Sequence, residues 1–140
     1  MPLDRADLTL PKTDRQELIG WTTACVRRLL PLFESAAPND RRLADALEGA
    51  NGFAQGDVGV GLMRELAFGC HAAARAVDDP VASAVARACG QAVAVAHMVG
   101  HSREISRYTK QALGAEAAAE LKWQRDQIPP RFEEYVYGTA

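Results

Sequence analysis

The sequence contains few cysteines and few aromatic residues. Aromatic side chains make up 6% of the 140 residues, and the three cysteines are Cys25, Cys70 and Cys89. Their number is odd, they lie far apart in apolar segments, and no CxxC pair occurs, which excludes a disulfide framework or a thiolate zinc site. We therefore expect three buried free thiols in a reducing compartment. A catalytic cysteine beside His71 is the weaker alternative.

The sequence also lacks an excess of positive charge and any long hydrophobic run. It has 16 Lys and Arg against 18 Asp and Glu, a net charge of -2. This balance lacks the basic footprint of proteins that bind nucleic acids or membrane surfaces. No apolar run could span a bilayer, and Asp4 and Asp7 interrupt the region where a secretory signal would be apolar. These absences predict a cytoplasmic protein with no nucleic-acid partner and no membrane partner.

Strand-like alternation is missing as well, and the apolar residues instead recur at spacings of three and four, which is typical of helices. The segment "TDRQ" has the form of a capping box and predicts that a first helix begins at Thr13. Pro31 lies inside this helix and should kink it or tighten its last turn. A second helix is expected to end near Gly56, and Asp57 is expected to cap a third.

The segment "VDDP" predicts the start of a fourth helix, with Asp79 as the N-cap and Pro80 as the first helical residue. The apolar pattern continues to Leu113, and Gly114 is a natural C-terminal cap. One helix of this extent would be about 50 Å long, so a bend near Gly100 is expected.

A fifth helix is predicted from Ala115 to about Gln127, and the segment "RFEEYVY" should form a short helical turn or an extended tail. Alanine is abundant in the third to fifth helices, and its small side chain lets helix axes approach closely. The prediction is therefore an all-α fold, a compact alanine-rich bundle of about five helices. We expect a single helical domain over residues 1–140, with its core at about 13–128.

Two histidines, His97 and His101, are four residues apart, a spacing that places both imidazoles on one face of a helix. The same spacing occurs in the HExxH motif of zinc proteases. Met98, however, stands where that motif has its catalytic Glu, so the motif is not present. Local hydrogen bonding of both imidazoles is the simpler interpretation.

The third histidine, His71, lies on the third helix. If the third and fourth helices form an antiparallel hairpin, His71 should lie level with about Arg87, roughly 15 Å along the axis from His97. That distance disfavours a metal site made from three histidines. A metal site made from His97, His101 and Asp126 of the fifth helix remains an alternative, although we expect no cofactor.

Three basic residues, Arg103, Arg107 and Lys110, follow at spacings of four and three and form a basic stripe towards the end of the fourth helix. Cations at this end of a helix interact favourably with its dipole, so the stripe can be simply a solvated surface. The alternative is a contact surface for an acidic partner.

Several segments together carry a family resemblance: "WTTACVRRLLPLFE", "FGCHAAARAV", "ACGQAVAVAHMVGHSREISRYTKQAL" and "ELKWQRDQIP". They resemble the bacterial immunity proteins of polymorphic toxin systems, in the group similar to the fifth catalogued immunity type. The resemblance covers about residues 14–129. It implies an all-helical domain that binds and neutralises a cognate protein toxin, without an enzymatic step and without a catalytic motif.

Three hypotheses follow for the function. The first is an immunity protein that covers the active cleft of its toxin and is not an enzyme. The second is a small helical metalloprotein or hydrolase that uses His97 and His101. The third is a structural module that associates with itself as a homo-oligomer. The usage of Ala, Arg and Gly is typical of a high-GC bacterium.

Overall fold

The computed structural model describes residues 2–139, and every regular element in this range is helical. The predicted all-α fold is confirmed. The α-helices are α1 (Lys12–Ala36), α2 (Arg42–Ala54), α3 (Val60–Ala76), α4 (Pro80–Ala94), α5 (Ile105–Leu113), α6 (Ala117–Gln127) and α7 (Pro130–Tyr137). A first 3-10 helix (Val99–Glu104) precedes α5, and a second (Gly114–Glu116) precedes α6.

Helix α1 begins earlier than its capping pattern predicts. The carbonyl of Pro11 already accepts hydrogen bonds from the backbone N–H groups of Asp14 and Arg15, at 3.0 and 3.2 Å. Thr13 therefore lies inside the helix, and the Gln16 side chain donates to the carbonyl of Phe53 at 3.1 Å instead of turning back. The capping-box prediction was wrong, because Pro11 fixes a backbone that starts the helix before Thr13.

The start of the third helix also differs from the prediction, whereas Pro31 lies inside the first helix as expected. Helix α3 follows Gly59, whose extended backbone leads directly into Val60, so Asp57 does not cap it as predicted. Pro31 lies on the exposed side of α1, and the helix continues past it to Ala36. Two residues after this proline, the buried Phe33 packs the end of α1 into the core.

Helix α4 is the centre of the bundle. Its predicted start is confirmed, because the Asp79 carboxylate accepts from the Val81 N–H at 3.2 Å and Pro80 is the first helical residue. Ten of its residues are buried, and it contacts α1, α2, α3 and α5. Small side chains such as Ala86, Ala88 and Ala92 let four neighbours approach one helix.

The predicted long fourth helix is interrupted earlier than expected. Helix α4 ends at Ala94, residues 95–97 form a turn, and Met98 has an extended backbone before the first 3-10 helix. The Gly100 N–H donates to the Leu8 carbonyl at 3.3 Å, so the N-terminal segment bonds to the backbone where the chain leaves α4. Gly114, with a positive φ of 56°, ends α5 as expected.

The C-terminal part is more helical than predicted. Helix α6 begins at Ala117, after the second 3-10 helix, and the segment that could have been an extended tail forms α7. Phe132 and Tyr135 of α7 are fully buried in the same core that contains Leu10. Among the described residues, no helix is long and apolar enough to cross a membrane.

Candidate protein-binding face

The structure brings His71 close to the second half of α4. Its ring lies against Gly90, so closely that a Cβ atom placed on this glycine would be 2.6 Å from both Cε1 and Nε2 of the imidazole. The level predicted for His71, near Arg87, was therefore about one turn short. Side chains of a helix point towards its N-terminus, and for α3 this direction leads away from the α3–α4 turn and towards later residues of α4.

His97 and His101 also approach each other, although not on one helix. His97 lies in the turn after α4 and His101 in the first 3-10 helix, with ring centroids 5.6 Å apart in an edge-to-face arrangement. The Nδ1 atom of His101 is 2.7 Å from the side-chain oxygen of Gln91. Because an amide oxygen can only accept, this contact requires the proton on Nδ1 and fixes the orientation of the ring.

The surroundings of the histidines favour the neutral imidazole. Burial lowers the pKa of His71, and the charges of Arg87 and Arg75 lower it further. Burial likewise lowers the pKa of His97, followed by the effects of His101, Arg64 and Arg15. The pKa of His101 is lowered by burial and raised in part by Glu104. The arginines near His71 and His97 therefore disfavour protonation of both rings.

An exposed aromatic side chain lies next to this cluster. Phe68 of α3 is 70% exposed, and it precedes His71 by three residues, so both side chains lie on one face of the helix. We call the surface made by Phe68, His71, His97 and His101 the histidine face. Leu8 and Met98, 41% and 39% exposed, lie at its edge, because Leu8 packs on Gly100 and Met98 follows His97.

Arginines flank the histidine face. Arg64 lies one turn before Phe68 and Arg75 one turn after His71, and both are exposed. Neither forms a salt bridge with another described residue. The elements that carry the face also bear carboxylates: Glu65 on α3, Asp7 directly before Leu8, and Glu104, which is paired with Arg107 at 2.7 Å. The face therefore combines an apolar centre with a cationic border.

The three metal ligands considered from the sequence, His97, His101 and Asp126, do not form one cluster. Within residues 2–139, no three His, Cys, Asp or Glu side chains are grouped so that they could hold a metal ion. Asp126 pairs with Lys122 on α6, at 2.7 Å, and does not join His97 and His101. His97 and His101 instead contact each other, His101 bonds to Gln91, and His71 packs on Gly90.

The cysteines are buried free thiols, as the sequence predicts. Burial raises the pKa of Cys25 to about 12. Cys70 and Cys89 contact each other, with 3.5 Å between their sulfur atoms, and this hydrogen bond together with burial raises the pKa of Cys89. Cys70 therefore has the Cys89 sulfur as its hydrogen-bond partner.

The three residues of the basic stripe occupy different environments. The Arg103 side chain donates to the carbonyls of Tyr135 and Arg5, at 3.1 and 2.7 Å, and its guanidinium lies 4.5 Å from the Tyr135 ring centroid. Arg107 pairs with Glu104, but its side chain is 56% exposed. Lys110 is exposed on α5. Arg103 therefore holds the two chain ends together, while Arg107 and Lys110 remain accessible to a partner.

Comparison with known proteins gives the family. The chain matches the family described as "Imm-5 like putative immunity protein" over residues 8–131. It belongs to this family. The matched region begins at Leu8 and includes every residue of the histidine face. A search of curated proteins and a search of solved structures each found no significant match.

Some features of the face escaped the sequence analysis. Phe68 falls outside the apolar series that marks the buried side of α3, and a large aromatic residue off the buried stripe is a signal that could have been used. Gly90 and Gln91 carry no such signal, because their roles depend on how α3 and the first 3-10 helix pack against α4.

Proposed function

We propose that this member of the immunity family binds a cognate protein toxin in the bacterial cytoplasm and neutralises it by covering its active cleft. The observation that carries the proposal is the family match over residues 8–131, which include the whole buried framework from α1 to α6. Inhibition by occlusion needs a stable surface of the right shape and charge, and it needs no reacting group on the inhibitor.

The chemistry of the chain supports a binding role. The thiols of Cys25 and Cys89 have raised pKa values, and the Cys70 thiol donates to the Cys89 sulfur. The imidazoles lie beside Gly90, Gln91 and arginines, none of which is a nucleophile that they could activate. The helices that present the surface are anchored in one core, which keeps the loss of conformational entropy on binding small. The protein therefore acts as a non-enzymatic inhibitor in this proposal.

The basic stripe contributes to association in this proposal. Arg107 and Lys110 are exposed on α5, and long cationic side chains at such positions attract an acidic surface before contact is made. Rim charges of this kind change the association rate more than the lifetime of the complex. Arg103 has a structural part in this proposal, because its side chain donates to the carbonyls of Tyr135 and Arg5.

The experiment uses the toxin encoded beside the gene. Expression of that toxin in a host cell should stop growth, and co-expression of this protein should restore it. The two purified proteins should form a stoichiometric complex by size-exclusion chromatography and calorimetry. Continued growth arrest together with an absence of complex formation would refute the proposed function.

A second experiment tests the stripe through association kinetics. The double variant Arg107→Glu and Lys110→Glu should associate more slowly than the wild type, with a weaker salt dependence, while Arg103 is kept because it is bonded to the chain ends. The matched control is the double variant Lys12→Glu and Arg41→Glu, which changes the net charge by the same amount. Both residues lie at the start of a helix, where a negative side chain interacts favourably with the helix dipole. Equal rates for wild type and stripe variant would show that the stripe is only solvated surface. If the control variant also associates more slowly than the wild type, the interface lies nearer to the surface that carries Arg41, Arg42 and Asp45.

A further inference from the structure

The exposure of Phe68 is the starting observation. A phenylalanine that is 70% exposed leaves a large apolar area in water, although the same helix buries Met63, Ala67 and Cys70 against its neighbours. Leu8 and Met98 extend this apolar surface at the edge of the histidine face. Grouped exposed apolar residues mark interaction sites, and aromatic side chains are prominent among residues that dominate binding energies.

The histidine face is held in place by contacts with α4. The ring of His71 fills the space above Gly90, and Gln91, the next residue, holds the ring of His101 at 2.7 Å. The contact between His97 and His101 joins the turn after α4 to the first 3-10 helix. The side chains around Phe68 are therefore ordered before any partner arrives, which lowers the entropic cost of docking.

Charge decides which partner fits this face. Arg64 and Arg75 flank this face and form no salt bridge with another described residue. Two further cations lie close enough to lower histidine pKa values: Arg87 acts on His71 and Arg15 on His97. A second copy of the chain docked through this face would bring these cations towards one another. A protein surface with carboxylates around an apolar pocket would instead neutralise them.

We propose that the histidine face is where the toxin docks, with Phe68 inserted into an apolar pocket and Arg64 and Arg75 paired with carboxylates of the toxin. This inference rests on the proposed function and adds to it the surface and the chemistry of the partner. The neutral imidazoles of His71 and His97 form the floor of the contact. Arg107 and Lys110 of the basic stripe lie on α5, directly after the first 3-10 helix, and in this proposal they attract the same acidic surface.

The test measures binding of the toxin encoded beside the gene. Phe68→Ala should weaken the complex at least about tenfold, mainly through faster dissociation. The control is Leu62→Ala, which removes another exposed apolar side chain of α3, 43% exposed and on a different side of the helix, and should change Kd less than about threefold. Arg64→Glu with Arg75→Glu should slow association about tenfold, whereas Lys12→Glu with Arg41→Glu should not.

Each outcome separates this inference from the proposed function. If the wild type binds and neutralises the toxin but the Phe68 and arginine variants do so equally well, the docking surface is elsewhere and the proposed function stands. If the wild type does not bind, the proposed function fails and this inference fails with it. If Phe68→Ala instead dissociates a homodimer in sedimentation experiments, the face joins two copies and the inference is overturned. Circular dichroism of every variant verifies that the fold is retained.

Discussion

The packing of His71 on Gly90 makes a sharp prediction about stability. Glycine inside a helix costs about 1 kcal/mol relative to alanine, so Gly90→Ala would stabilise the protein if its surroundings had room. They do not, because the new Cβ atom would be 2.6 Å from two atoms of the imidazole. Such overpacking typically costs about 1–3 kcal/mol. We therefore expect Gly90→Ala to leave the stability unchanged or lower it by up to about 2 kcal/mol.

Removing the ring should reverse the sign of this substitution. In a His71→Ala background the space above Gly90 is open, so Gly90→Ala should stabilise by up to about 1 kcal/mol. The measurement is a double-mutant cycle of urea unfolding curves, in which the coupling between the two sites should be about 1–3 kcal/mol. The control is Gly20→Ala on α1, where a Cβ atom meets nothing within 4 Å, and this change should stabilise both backgrounds equally. An equal gain from Gly90→Ala in both backgrounds would refute the described position of the His71 ring.

Three further predictions concern pH, metal and the buried polar pair of α5 and α6. The pKa of His71 is lowered from 6.5, so the unfolded chain binds more protons below that pH, and stability should be full above about pH 7 and fall as the pH drops towards the folded pKa. His71→Leu should weaken this dependence in pH-resolved unfolding curves, and the part that remains should come from His97 and His101, whose pKa values are lowered as well. A chelator should leave the melting temperature unchanged. If the chelator lowers the melting temperature of the wild type but not that of the double variant His97→Ala and His101→Ala, the protein binds a metal at these histidines. Thr109→Val should destabilise by about 1–3 kcal/mol in urea, because it removes the acceptor of the buried Gln124 amide at 2.9 Å; a cost below about 0.5 kcal/mol would contradict this.

The helices could be predicted because their signals are local. Periodic apolar residues and the Asp79–Pro80 start depend on neighbours within a few residues, and both appear in the structure as expected. The end of α4 could not be predicted in the same way. The turn at 95–97 forms where two residues from near the start of the chain bond to the backbone that follows α4. Arg15 donates to the carbonyl of Ala96, 81 residues later, and the Leu8 carbonyl accepts from the N–H of Gly100, 92 residues later. No local pattern records such a contact.

The candidate site shows the same division. Sequence spacing brought His97 and His101 together correctly, since four residues remain close even when the helix is replaced by a turn and a 3-10 helix. It could not show that His71 rests on Gly90, because this depends on the relative position of two helices. It also treated Arg103 as equivalent to Arg107, although Arg103 bonds to carbonyls at both ends of the chain. The spacing of residues in the sequence does not predict side-chain roles that depend on how the helices pack.

The histidine face contains a fixed part and a part that can change. His71 is tied to the packing of α3 on α4, so its replacement would alter the fold's own contacts. Phe68, Arg64 and Arg75 are exposed, and substitutions at exposed sites usually shift stability by only about 0.5 kcal/mol or less. A helical scaffold with such a border can acquire a different partner through changes at these three positions while its core stays the same. Specificity for one toxin would then be determined by exposed side chains whose replacement costs the fold little.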